Sequence, residues 1–216
     1  MMNRKIFLLA VVTFLFLQPL ALMGASGREA LQTTARQVAA LGLGFGDYVL
    51  GEVLTADQKA FAQKNRVEDA LQGTYKFGDG DIVVVVSDKD DIILALYKDN
   101  PAATRAQMKE MVGELMMRFS EPTTMAHDTI IYWAYNQNGK ISEDEYDFSK
   151  QSGETEMIAT VKLQSSMPIT PDEQPTDSGG DKTGAEKDAV FPGEKAGIYV
   201  IISSNPMSRL FLALNK

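Results

Sequence analysis

Ile82-Val83-Val84-Val85-Val86 is the most restrictive passage of this chain: five consecutive β-branched apolar residues. Branching at Cβ favours extended backbone over helix. An unbroken apolar run, in place of strict alternation, predicts a strand buried on both faces. Thr74 to Phe77 predicts a short strand before it, joined by the Asp79-Gly80-Asp81 turn. Asp88-Lys89-Asp90-Asp91 predicts a polar turn after it, with Ile92 to Tyr97 as the return strand of a hairpin. A chain that must bury such a hairpin needs a sheet with other elements laid against it.

Helices are expected around it. Leu31, Ala35 and Val38 form one stripe over 27–41. Thr55-Ala56-Asp57-Gln58 is a capping box that opens a second helix, expected to run to about Leu71 with Phe61, Val67, Ala70 and Leu71. Asn100-Pro101 predicts the start of a third, whose apolar face is Met108, Met111, Val112, Leu115 and Phe119. Glu121-Pro122 stops it. Thr129 to Tyr135 predicts a strand, and Asn138-Gly139 a two-residue hairpin turn. The acidic stretch Glu143 to Glu156 reads as a loop or a solvated edge. Met157, Ala159, Val161 and Leu163 alternate with Ile158, Thr160, Lys162 and Gln164, a strand with one core face and one mostly wet face. Ile198 to Ile202 and Leu210 to Leu214, with Asn205-Pro206 turning between them, predict a last hairpin. The expected fold is α+β: a mostly antiparallel sheet with helices packed on one face, preceded by two N-terminal helices.

The ends of the domain are read from composition. Asn3, Arg4 and Lys5 precede an apolar run from Ile6 to Leu17, then Gln18-Pro19, then Gly24, Ala25, Ser26 and Gly27. That order predicts a signal peptide over residues 1–25, export, and a periplasmic location. The alternative is an inner-membrane anchor over residues 6–23, and then the membrane is met only through that segment. Removing Arg4 and Lys5 makes an already acidic chain, at −8, two units more negative. Such a balance argues against nucleic acid as a partner, because phosphate binding is driven by basic side chains. The chain has no Cys, which excludes disulfides, thiolate metal sites and Cys nucleophiles. Residues 166–195 carry Pro168, Pro171, Pro175, Gly179, Gly180 and many charges, and read as a disordered insertion. A single α+β domain is therefore expected over 26–165 and 196–216.

No motif assigns a reaction or a cofactor. Gly42-x-Gly44-x-Gly46-Asp47 lacks the last Gly of a dinucleotide loop and follows a helix. His127 is the only His, so no multi-His zinc site exists, and no Gly-x-Ser-x-Gly elbow accompanies it. Asp79, Asp81, Asp88, Asp90 and Asp91 lie at turns, where Asp is common for backbone reasons. A weak cation site is offered by Asn136, Asn138 and Glu145, placed as in an EF-hand loop, but Ala134 stands where the first Asp belongs. Tyr132, Trp133 and Tyr135 are candidate partner-binding aromatics. Tyr132 and Trp133 point to opposite faces of one strand, so one belongs to the core and the other is free to anchor a partner.

Ser120-Glu121-Pro122-Thr123 after a helix, followed by Tyr132-Trp133-Ala134-Tyr135, resembles small exported modules. These are the modules related to the β-lactamase-inhibitor protein and to the outer-membrane assembly lipoproteins. They carry a Gly-x-Pro-Thr turn and a Trp-containing strand; here Ser120 replaces the Gly and the lipidated Cys is missing. The likeness covers about residues 101–142 and implies a protein-binding role. The expected function is thus an exported module that binds an unidentified protein or small ligand without catalysis. The alternatives are a carboxylate-based enzyme without a sequence signature and a weak cation-binding protein.

Overall fold

The computed structural model describes residues 20–67, 70–152, 157–169 and 195–216. Residues 1–19 of the expected signal peptide and 170–194 of the expected insertion lie outside them, as do 68–69 and 153–156. The described chain is α+β, and every strand pairing in it is antiparallel. No helix among the described residues is long and apolar enough to cross a membrane.

Helix α1 (Leu20–Ala39) buries the stripe Leu31, Ala35 and Val38, each at most 2% exposed. A small hairpin, β1 (Gly44–Phe45) with β2 (Tyr48–Val49), follows it, then α2 (Ala56–Lys64). The main sheet collects β3 (Arg66–Val67), β4 (Thr74–Asp79), β5 (Ile82–Ser87), β6 (Ile93–Thr104), β7 (Thr124–Ala126), β8 (Ile130–Asn136), β9 (Gly139–Lys140), β10 (Ala159–Ser165) and β11 (Lys195–Ser203). Its spatial order is β3-β4-β5-β6-β11-β10-β8-β7, with β9 paired to β8. Helices α3 (Arg105–Phe119), α4 (Glu143–Ser152) and α5 (Asn205–Leu214) complete the chain.

One face of the sheet holds the core. Phe77, Val84, Leu96, Ile202, Val161 and Trp133 stand directly opposite one another across six strands and are all fully buried. Helix α3 lays Met108, Leu115 and Phe119 on this face, and α1 and α5 add Leu31, Ala35, Val38, Met207 and Phe211 to the same cluster.

Several expectations are corrected. The pair of N-terminal helices is not borne out as drawn. The second stops at Lys64, where the Asn65 side chain donates to the Phe61 carbonyl at 2.9 Å, and β-branched Val67 pairs with Lys76 as an edge strand. Phe61, Val67 and Leu71 are consequently exposed. Asn100-Pro101 does not start a helix: β6 runs on to Thr104 because β11 pairs with it that far. A register shift between Ala196 and Ile198 lies opposite this stretch, and β5 ends its pairing at Lys98, so Pro101 costs no hydrogen bond on that edge. Leu210 to Leu214 is helical, not a strand. Ser204 caps α5 by accepting from the Met207 N–H, and Pro206 sits in its first turn. The acidic stretch from Glu143 is also a helix, and it breaks the one-face rule. Tyr146 of α4 joins Ala134 and Ile141 in a second, smaller cluster, and Ala134 points away from the neighbouring Trp133.

Candidate binding surface

The second face of the sheet is the candidate site. Register places three rows of side chains on it. Val83, Tyr97, Ile201, Lys162 and Tyr132 form the first row. Val85, Ala95, Ser203 and Thr160 form the second, and Asp99, Tyr199, Gln164 and Ile130 the third. The first row spans five strands, about 19 Å at the usual strand spacing. Twelve of the thirteen are partly buried, and Asp99 is exposed. Among the described residues only α4 covers this face, at its β8 end, where Tyr132 and Tyr146 rings lie 6.1 Å apart.

The composition of these rows is unusual for a wet face. Five are apolar aliphatic side chains (Val83, Val85, Ala95, Ile201, Ile130) and three are tyrosines. Near the middle, Lys162 Nζ donates to the Tyr199 hydroxyl at 3.2 Å and to Gln164 Oε1 at 3.3 Å, and it lies 5.1 Å from the Tyr199 ring centre. Tyr199 donates its hydroxyl proton to the same Gln164 oxygen. Lys162 forms no ion pair among the described residues. The chain as a whole is acidic, yet this patch centres on an unpaired ammonium framed by aromatic rings. Burial raises the hydroxyl pKa of Tyr97, with Asp99 adding to the effect, so the ring presents a neutral donor at physiological pH.

The candidate aromatics separate on this strand. Tyr132 is on the second face, half-buried at the end that α4 covers. Trp133 is fully buried: its indole N–H donates to the Ser120 carbonyl at 2.8 Å, and its ring lies 6.2 Å from that of Phe119. Tyr135 is 7% exposed, on the same side as Trp133, and burial pushes its hydroxyl up to about 12. Trp133 and Tyr135 are thus packing residues, withdrawn from any partner.

The cation candidate does not assemble. Asn136 Oδ1 accepts from the Asn138 N–H at 2.8 Å, closing its own turn. Glu145 caps α4: its carboxylate accepts from the Ser142 N–H at 2.8 Å and from the Ser142 hydroxyl at 2.9 Å, and the first of these chiefly holds its pKa below the ordinary range. A strand, not a helix, precedes the loop. No group of three or more His, Asp or Glu side chains able to hold a metal occurs among the described residues.

Four of the five turn carboxylates are likewise engaged, and the fifth, Asp88, is exposed. Tyr48 donates to Asp79 at 2.9 Å, and Lys98 pairs with Asp81 at 2.9 Å. Asp91 takes both Lys59 at 2.7 Å and the Tyr75 hydroxyl at 2.9 Å, while Arg28 approaches Asp90 at 3.9 Å. His127 is exposed in the β7–β8 turn with a left-handed backbone. The glycine motif is explained by backbone: Gly42 and Gly46 take φ 65° and 55°, and Gly44 makes a close approach. A Cβ on Gly44 would stand 2.0 Å from the Tyr48 carbonyl oxygen across the β1–β2 hairpin.

Tyr97, Tyr199, Ile201 and Lys162 do not stand out as a site in one dimension, because they lie on three different strands. Their trace in the sequence is indirect. Val83 and Val85, and equally Tyr199 and Ile201, occupy positions where a one-faced strand places polar residues.

No family model matches the chain, and no curated protein and no solved structure matches it. Ser120 has φ 63° and ψ −163°, a conformation that favours Gly.

Proposed function

We propose that this chain is an exported, non-enzymatic binding module that receives a protein partner on the uncovered face of its sheet. One observation carries the reading. Ile82 to Val86 has the composition of a strand buried on both sides, but only Val84, Val86 and their row are covered by the chain's own helices. Val83, Val85, Ile201 and the tyrosines 97, 132 and 199 form a continuous apolar and aromatic surface, the chemistry that binding hot spots favour. Lys162 at its centre selects a partner that brings a carboxylate to that point. Export is read from the signal-peptide pattern of residues 1–25. The paired or capping roles of the candidate carboxylates weigh against acid–base catalysis by them.

The test is native mass spectrometry of the protein recovered from its own cell envelope, beside an Ile201→Asp variant. A stoichiometric partner held by the native chain and lost from the variant, with unchanged circular dichroism, supports the reading. A partner retained by the variant, or a bare native chain, overturns it.

A further inference from the structure

On the opposite, helix-covered face, one side chain is out of place. Lys98 occupies a core-facing position, directly opposite Ile82 and Val200, in a row that continues through Leu163 and Ile131. Its ammonium passes 5.1 Å from the centre of the Phe45 ring to reach Asp81. The Arg118 guanidinium, from the last turn of α3, comes within 5.7 Å of the same ring centre. Two cations therefore converge on one buried aromatic ring, an arrangement with favourable cation–π attraction to each. They stand beside a half-open cleft of about 400 Å³ between α3 and the sheet, whose apolar wall is Met111, Leu115 and Val200. That volume is within the range of small-molecule sites, which combine an apolar wall with a few fixed polar groups.

The charges of the cleft are not equivalent. Lys98 is neutralised by Asp81. Glu114 lines the cleft one turn before Arg118, but no ion pair joins them, and Arg118 has no carboxylate partner among the described residues. The guanidinium is held against Phe45 with its hydrogen-bond donors uncommitted to any carboxylate. From this geometry we propose that the cleft binds a small amphipathic acid, its alkyl or aryl body against Met111, Leu115 and Val200 and its anionic head on Arg118. A planar carboxylate suits the guanidinium fork. A diacyl lipid is too large for this volume.

Octanoate is the probe, titrated calorimetrically into the full chain, with octyltrimethylammonium as a control of the same tail and opposite charge. Octanoate is expected to bind one-to-one and the cationic control to bind at least tenfold more weakly, a difference of about 1.4 kcal/mol or more. Arg118 is exposed, so Arg118→Glu leaves folding intact. This variant should lose roughly tenfold in octanoate affinity and narrow or reverse the preference between the two heads. Met111→Trp, which fills the cleft, should abolish binding of both. Equal binding of the two probes, no binding of octanoate, or octanoate affinity unchanged in Arg118→Glu overturns the proposal. None of these results bears on the partner surface, which lies on the other side of the sheet.

Discussion

Ser120 sits at φ 63°, yet it holds two side chains in place: its carbonyl accepts from Trp133 and its hydroxyl from Lys140 at 2.6 Å, and Lys140 donates to the Glu121 carbonyl as well, also at 2.6 Å. Backbone of this kind costs of order 1–3 kcal/mol in a non-Gly residue. Ser120→Gly relieves it but forfeits both bonds of the hydroxyl, the one accepted from Lys140 and the one donated to the Phe119 carbonyl, so stability in urea unfolding should rise by no more than about 1 kcal/mol. Trp133 provides the contrast. Trp133→Ala empties a fully buried site and should cost about 3–5 kcal/mol in the same assay. A residue that looks like a binding anchor in sequence is thus expected to behave as core. Tyr48 adds a pH signature. Burial first, then its hydrogen bond to Asp79, raises its hydroxyl pKa to about 12 from the ordinary 10. A raised pKa contributes stability that is complete below the unfolded value and lost as pH rises through the folded one. Alkaline titration of stability should therefore show a decline between pH 10 and about pH 12 that is reduced in Tyr48→Phe.

Among elements, helix α3 gives the clearest test of where a boundary lies. Thr104 accepts from the Gln107 N–H and Gln107 returns the bond to the Thr104 N–H, a full capping box. Thr104→Ala should cost about 1 kcal/mol. Asn100→Ala should cost less than about half of that, since Asn100 is in a strand and only accepts a bond from the Ala102 N–H. The Asn-Pro pair was a reasonable helix signal read locally. It failed because β11, nearly a hundred residues away in sequence, pairs with that stretch and holds it extended. The same competition turned Leu210 to Leu214 the other way: Ser204 and Pro206 are a helix start, and α5 docks on α1 where no strand partner is offered. For the hairpin at Asn138, the ligand candidates are used by their own turn and cap. Added calcium should leave the melting temperature unchanged in the native chain and in Asn138→Ala alike.

At the scale of the molecule, one sheet has two unlike faces. Ile201 and Ile202 are adjacent and chemically identical, but one is on the uncovered face and the other is fully buried. Ile202→Ala should cost about 2–5 kcal/mol, while Ile201→Ala should cost under about 1 kcal/mol in the isolated chain. Short-range physics made much of this legible. The β-branched run, the alternation in β10, the Leu31–Ala35–Val38 stripe and the Asn-Gly turn all depend on neighbours a few residues apart, so they survive as patterns along the chain. The class, α+β around an antiparallel sheet, follows from them. Which face the helices cover, that α4 crosses to the other side, and that Tyr97, Lys162 and Tyr199 meet on one surface could not be read there. Those outcomes depend on pairings between strands distant in sequence, and a shift of one residue in any register would have sent the opposite set of side chains to that surface.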